Sequence, residues 1–192
     1  MCNIFKGRTE PCNNTIGGIT KMYLFTYTEY RRYEIEVNES TLVKYPTTTI
    51  YEYELRSDEN IFTEDLEQLP DGIKYNQNIT GILKQINVDY ENTAQLLNKK
   101  IGCIVKTRLN KYQILGLYNG CRVKSVKFTT GGNKTSFNGS KISIKAQETK
   151  PAFYIDDLLS AGFIIDEPAT DFYLLQENGS YLLQENGFKI IL

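Results

Sequence analysis

The chain has 192 residues, with 22 Lys+Arg against 23 Asp+Glu, 14 Tyr, 9 Phe and 4 Cys, and it contains neither His nor Trp. That length suits one domain, or one domain with an appended segment. Without His the chain lacks the commonest general base, the Ser-His and Cys-His nucleophile pairs and every His-containing metal site, so ordinary hydrolase chemistry is not expected. No apolar run approaches the roughly 18 residues of a membrane helix, and residues 1–8 carry charges where a signal peptide would hold its apolar core. The expectation is a chain without a membrane anchor, made and kept in a cytoplasm. Cys2, Cys12, Cys103 and Cys121 form no C-x-x-C pair. They are expected as free buried thiols, with a Cys2–Cys12 bridge as the alternative.

In chain order, period-2 patterns dominate and predict strands. Tyr33, Ile35 and Val37 alternate with Arg32, Glu34 and Glu36, and Thr49, Tyr51, Tyr53 and Leu55 alternate with Glu52, Glu54 and Arg56. Each reads as a half-buried strand with an acidic outer face. Residues 73–88 read as a long strand bent at Gly81, its polar first half projecting beyond the sheet. Asp89 is placed to cap a helix over 89–101 whose Tyr90, Ala94, Leu97 and Ile101 share one stripe, with Lys99 and Lys100 in the last turn and Gly102 just past it.

Gly102 to Arg108 and Tyr112 to Tyr118 flank a short connection, and Asn119-Gly120 leads into Arg122 to Thr129, which together read as a meander. Asn138-Gly139 turns the chain into a strand in which Ile142, Ile144 and Ala146 alternate with Lys141, Ser143 and Lys145. Residues 153–163 read as a short helix, or as a strand and turn. After Pro151 the character changes, and the unit Tyr-Leu-Leu-Gln-Glu-Asn-Gly occurs twice, at 173–179 and 181–187. Two copies are too few for a solenoid, so they predict a small meander that needs a partner. The fold class expected is mainly β: a sandwich or barrel of antiparallel strands over 1–150 with one short flanking helix, and a C-terminal β-meander extension over 151–192.

The near-neutral net charge hides three blocks. Residues 1–98 hold 9 basic and 15 acidic side chains, residues 99–150 hold 12 and 1, and residues 151–192 hold 1 and 7. The middle block nominates a basic patch of Lys106, Arg108, Arg122, Lys124, Lys127, Lys141 and Lys145. Three readings stay open for it: neutralising nucleic-acid phosphates, facing an acidic surface of another subunit, or a solvated face balanced within one molecule. Asp156-Asp157 and Asp166-Glu167 are paired carboxylates, but neighbours in a strand point to opposite faces, so no catalytic residue is assigned. No metal or cofactor is expected.

Several of these segments resemble structural proteins of the tailed phages of Bacteroidota, including crAss-like phages. The resemblance rests on Cys2…Cys12…Gly17-Gly18-Ile19 before a Tyr/Phe-rich strand, on Tyr51-Glu52-Tyr53-Glu54-Leu55, and on Ile104-Val105…Tyr112-Gln113-Ile114-Leu115-Gly116…Asn119-Gly120. The stretch Phe128-Thr129-Thr130-Gly131…Phe137-Asn138-Gly139…Glu148…Pro151 extends it, so that it covers roughly residues 12–151. It implies a tail-tube-like subunit that forms a homo-oligomeric ring in a phage tail, tail hub or head–tail junction. Neighbouring tail or connector proteins would be its partners, and DNA would pass through the lumen without sequence-specific binding. Its place would be the virion, after assembly in the bacterial host cytoplasm. The segment after Pro151 departs from the simplest family pattern, and its Phe172, Tyr173, Leu174, Leu175, Tyr181, Leu182, Leu183 and Phe188 are expected to dock on neighbouring subunits. The alternative functions are a nucleic-acid-binding module built on residues 99–150 and a carboxylate-based glycan hydrolase or glycan-binding domain.

Overall fold

A computed structural model of the chain describes residues 16–70, 72–84, 97–133 and 136–166, without the side chains of residues 30 and 31. These residues are mainly β, with twelve strands in one curled, mixed sheet. In chain order the strands are β1 (Ile19–Thr26), β2 (Glu36–Asn38), β3 (Thr41–Lys44), β4 (Thr48–Glu54), β5 (Ile61–Leu69) and β6 (Gly72–Lys84). They continue with β7 (Lys100–Thr107), β8 (Tyr112–Leu115), β9 (Cys121–Thr129), β10 (Gly139–Glu148), β11 (Phe153–Ile155) and β12 (Phe163–Asp166). The pairs β3–β11 and β4–β12 are parallel, and the other pairings are antiparallel.

The centre of the sheet is the β1–β7 pair, in which Met22 lies opposite Val105 and Leu24 opposite Cys103. Both strands are near-continuous apolar runs, Met22 to Phe25 and Ile101 to Val105, as strands buried on both faces must be. Their alternate residues supply two different cores. Met22, Leu24, Cys103 and Val105 pack with Leu55, Ile79, Leu115, Val123 and Ile142 on one side. Tyr23, Phe25 and Ile104 pack with Tyr45, Ile50, Ile114, Phe153 and Phe163 on the other. One cluster lies on each side of the β1–β7 pair, whose alternate residues enter both. One half-barrel is built mainly from β6, β9 and β10, the other from β3, β4, β8, β11 and β12, and β1–β7 is the wall between them.

Several expectations are corrected here. Residues 29–34 form a 3₁₀ turn, not a strand, and Tyr33 is 98% exposed. Arg32 explains this: its guanidinium reaches the Tyr27 hydroxyl at 3.2 Å, the Asn119 side chain at 3.1 Å and Glu29 at 3.3 Å, drawing the chain into a turn. In β4 both faces are used, so Ile50 is fully buried in one core, Leu55 just beyond the strand enters the other, and Tyr51 is exposed.

The expected helix lies largely outside the described residues, but its end does not survive. Residues 97–99 form a turn, and Lys100, Ile101 and Gly102 belong to β7. Gly102 lies opposite Phe25, whose ring occupies the space of a side chain there. It serves close packing and caps no helix. Residues 153–166 are a strand, a turn and a strand within the second core, so residues 151–166 are built into the same sheet as residues 19–148. The doubled unit at 173–187 and all eight expected docking residues from Phe172 to Phe188 lie outside the described residues, as do Cys2 and Cys12. Cys103 and Cys121 are free buried thiols.

The stretch expected as a three-stranded meander is arranged differently. β7 and β8 do form a hairpin, with Asn110 at φ 58 in its turn. But β8 and β9 lie one after the other along the same edge of β7, Leu115 opposite Cys103 and Cys121 opposite Ile101. The loop at 116–120 therefore interrupts one line of chain and does not reverse it. Its Gly116 and Gly120 both have positive φ, where a side chain would be strained. The connection from β9 to β10 lies between Thr129 and Gly139, with Gly131 at φ 73. Finally, the polar first half of β6 does not project. Tyr75 to Gln77 pair with β10 on one side and β5 on the other, and only residues 67–69 and 72–74 of the two strands extend past β10.

A basic ribbon beside a carboxylate-held loop

The loop at 116–120 is the point where the two half-barrels part, and its backbone N–H groups cannot all be met by sheet partners. Buried polar side chains meet them instead. Gln77, 1% exposed, accepts the Gly116 N–H at 3.0 Å and donates to Glu64 Oε1 at 2.9 Å, which also accepts the Ala152 N–H at 2.7 Å. Glu148, 3% exposed, accepts the Tyr118 and Asn119 N–H groups at 3.1 and 2.7 Å on Oε1, and the Asn119 amide at 3.0 Å on Oε2. Burial raises the Glu148 carboxyl above the ordinary range, while the two N–H groups oppose that rise. Glu148 is the sole acidic residue between positions 99 and 150. Turned inward, it leaves the surface of that block with cations only.

On the outer face of the β9–β10 hairpin those cations stand in register. Lys145 is opposite Arg122, which is opposite Lys100 on β7, and Lys141 is opposite Lys127. Ser143 and Ser125 pair between the two rows, and a β-bulge beside them accommodates Lys124. Lys100, Arg122, Lys124 and Lys145, with Asn119 and Gln147, line a cavity of about 590 Å³. Among the described residues Lys100 pairs with Glu29 at 3.8 Å, and no carboxylate pairs with Arg122, Lys124, Lys127, Lys141 or Lys145.

Five of the seven nominated cations are thus brought together. The other two are not, because they lie at the far end of β7 from its pairing with β9. Lys106 stands over the Tyr112 ring at 5.3 Å, in a mixed-charge cavity of about 420 Å³ shared with Lys21, Glu52, Glu54 and Asp166. Arg108 is tied to Asp58 in an ion pair that holds the Asp58 carboxyl below its ordinary range. The sequence reading missed Lys100, which it set in a helix, and the buried Asn60, Gln77 and Glu148. For Lys100 the signal was the apolar run directly after it, which marks a strand.

Of the paired carboxylates, Glu167 lies outside the described residues. Asp157 accepts the Ser160 N–H at 2.8 Å, which lowers its carboxyl, and Asp166 ends β12. Comparison with protein-family models, with curated proteins and with solved structures gives no match to this chain.

Proposed function

We propose that the chain is a virion structural subunit that forms a homo-oligomeric ring around a DNA conduit in a phage tail or at the head–tail junction. In this reading it is no enzyme and takes no cofactor, and its further partners are neighbouring tail or connector proteins. The observation that carries the proposal is the β5–β6 arm. β5 is a nine-residue strand at the edge of the sheet, paired on one side only among the described residues, and most of it is exposed. Its tip presents Leu66, 65% exposed, with Leu69 and Ile73 beside it. An exposed edge strand with apolar side chains is a template for pairing with another chain, and a closed ring of copies covers such edges. The loose turn-and-strand resemblance to phage tail proteins supports the same reading.

The test is light scattering and negative-stain electron microscopy of the full chain over a wide concentration range, alone and with a neighbouring tail protein. Rings with a central opening are the expected outcome. A monomer under every condition overturns the proposal.

A further inference from the structure

We infer that the outer face of the β9–β10 hairpin binds the phosphate backbone of double-stranded nucleic acid, without reading its sequence. The face is built against its own folding preference. Like charges directly opposite one another destabilise a sheet, yet Lys100, Arg122 and Lys145 form one row across three strands and Lys127 faces Lys141 in another. The one acidic side chain of the block, Glu148, is buried on the opposite side of the sheet.

Geometry favours a duplex. Lys141 and Lys145 are four residues apart on β10, which separates the two rows by about 13 Å, close to the roughly 12 Å width of the B-DNA major groove. A two-stranded ribbon is one of the shapes that such a groove admits. Between the rows stand Ser125 and Ser143. Among the described residues, β9 and β10 place no aromatic ring on this face for single-stranded bases to stack on, since Phe128 pairs with Ser140 on the other face, and the Tyr27 ring beneath Lys100 is buried. Composition argues against a protein partner: five of the six cations are Lys, which is depleted at the cores of protein interfaces. Lysines act here as point charges, so affinity would follow phosphate density and not base identity. The inference does not depend on ring formation, because a single copy carries the whole face.

The experiment is fluorescence anisotropy of the full-length protein with a short mixed-sequence DNA duplex, with polyglutamate as the competing polyanion. If about four phosphates are neutralised, the affinity falls on the order of 100-fold between about 50 and about 200 mM salt. Arg122→Gln with Lys145→Gln, and separately Lys127→Gln with Lys141→Gln, should each weaken binding at least tenfold, while Lys44→Gln on β3 changes nothing. Near-equal affinity for duplexes of different sequence supports the inference. Undetectable duplex binding at the lowest salt overturns it, and so does polyglutamate binding as tightly as the duplex, which would mark an acidic protein partner. Light scattering on the same samples reports ring formation separately, so failure of one proposal is distinguishable from failure of the other.

Discussion

A methyl group at position 102 would enter the Phe25 ring, and that ring cannot withdraw, because Tyr45 and Phe163 lie against it with centroids 5.5 Å away. Gly102→Ala should therefore cost about 1–3 kcal/mol of stability, the usual range for overpacking. Phe25→Leu in the same chain should recover part of that loss, and urea unfolding of the two single variants and the double variant measures the coupling. Additive losses would mean that the two residues do not press on each other. Glu148 gives a prediction with a sign in pH. A carboxyl raised in the folded protein contributes stability that is complete below its ordinary value of 4.5 and is lost as pH rises through the native value. The stability of Glu148→Gln relative to the parent chain should accordingly improve from pH about 4 to pH about 7. A flat difference over that window in urea titrations would refute the raised carboxyl. Neither residue's role was legible in the sequence. Glycine after a lysine pair resembles a helix end, and only the register with Phe25 distinguishes the two uses. A glutamate followed by Thr-Lys-Pro resembles a surface turn until the 116–120 loop arrives from thirty residues upstream.

At the level of single elements, the β5–β6 arm separates folding from assembly. Leu66→Glu with Ile73→Lys alters exposed positions that belong to neither core, so the unfolding free energy should change by no more than about 0.5 kcal/mol. Oligomers seen by light scattering should nevertheless disappear. Loss of the fold in this variant would show that the arm belongs to the core. The β9–β10 ribbon predicts the opposite trade. Replacing Lys145 by Thr removes a like-charge pair with Arg122 and should stabilise the chain by about 0.2–1 kcal/mol at low salt, with the gain shrinking as salt is added. Thermal unfolding at two ionic strengths tests this, and a destabilised variant would mean that the lysine stem packs against its neighbours. The ribbon itself was readable from Lys141, Ser143 and Lys145 alternating with Ile142, Ile144 and Ala146, because a one-sided strand exposes every second residue. The strand expected at 33–37 was not, because the Arg32 hydrogen bonds to Tyr27 and Asn119 overrule the alternation locally.

On the scale of the whole molecule, the two cores formed by the described residues are drawn from residues 19–163. A chain ending at residue 166 should keep a cooperative unfolding transition while assembling more weakly than the full chain, as circular dichroism and light scattering together would report. Non-cooperative unfolding of the truncated chain would assign the last 26 residues to the core. Asn60 and Gln77 show how buried amides fasten β6 to its surroundings. Asn60 takes the Ile82 N–H on its side chain at 2.7 Å and the Ile19 N–H on its carbonyl at 3.4 Å, and Gln77 joins the 116–120 loop to β5 through Glu64.

By itself the sequence determined that the chain is mainly β, that β10 exposes one polar face, and where positive charge concentrates, since these follow from nearest-neighbour alternation and composition. Only the tertiary structure decided that β1 and β7 divide two cores, that β8 and β9 share one edge, and that Glu148 points inward. It also separated Lys106 and Arg108 from the other cations and added Lys100 to them. The reason is physical: alternation says that a residue has an inside and an outside, but for strands such as β1 and β7, with a core on either side, both sides become an inside. Which residues meet there depends on pairings between distant positions, such as Ile19 with Thr107 and Phe163 with Thr48, which local pattern does not encode.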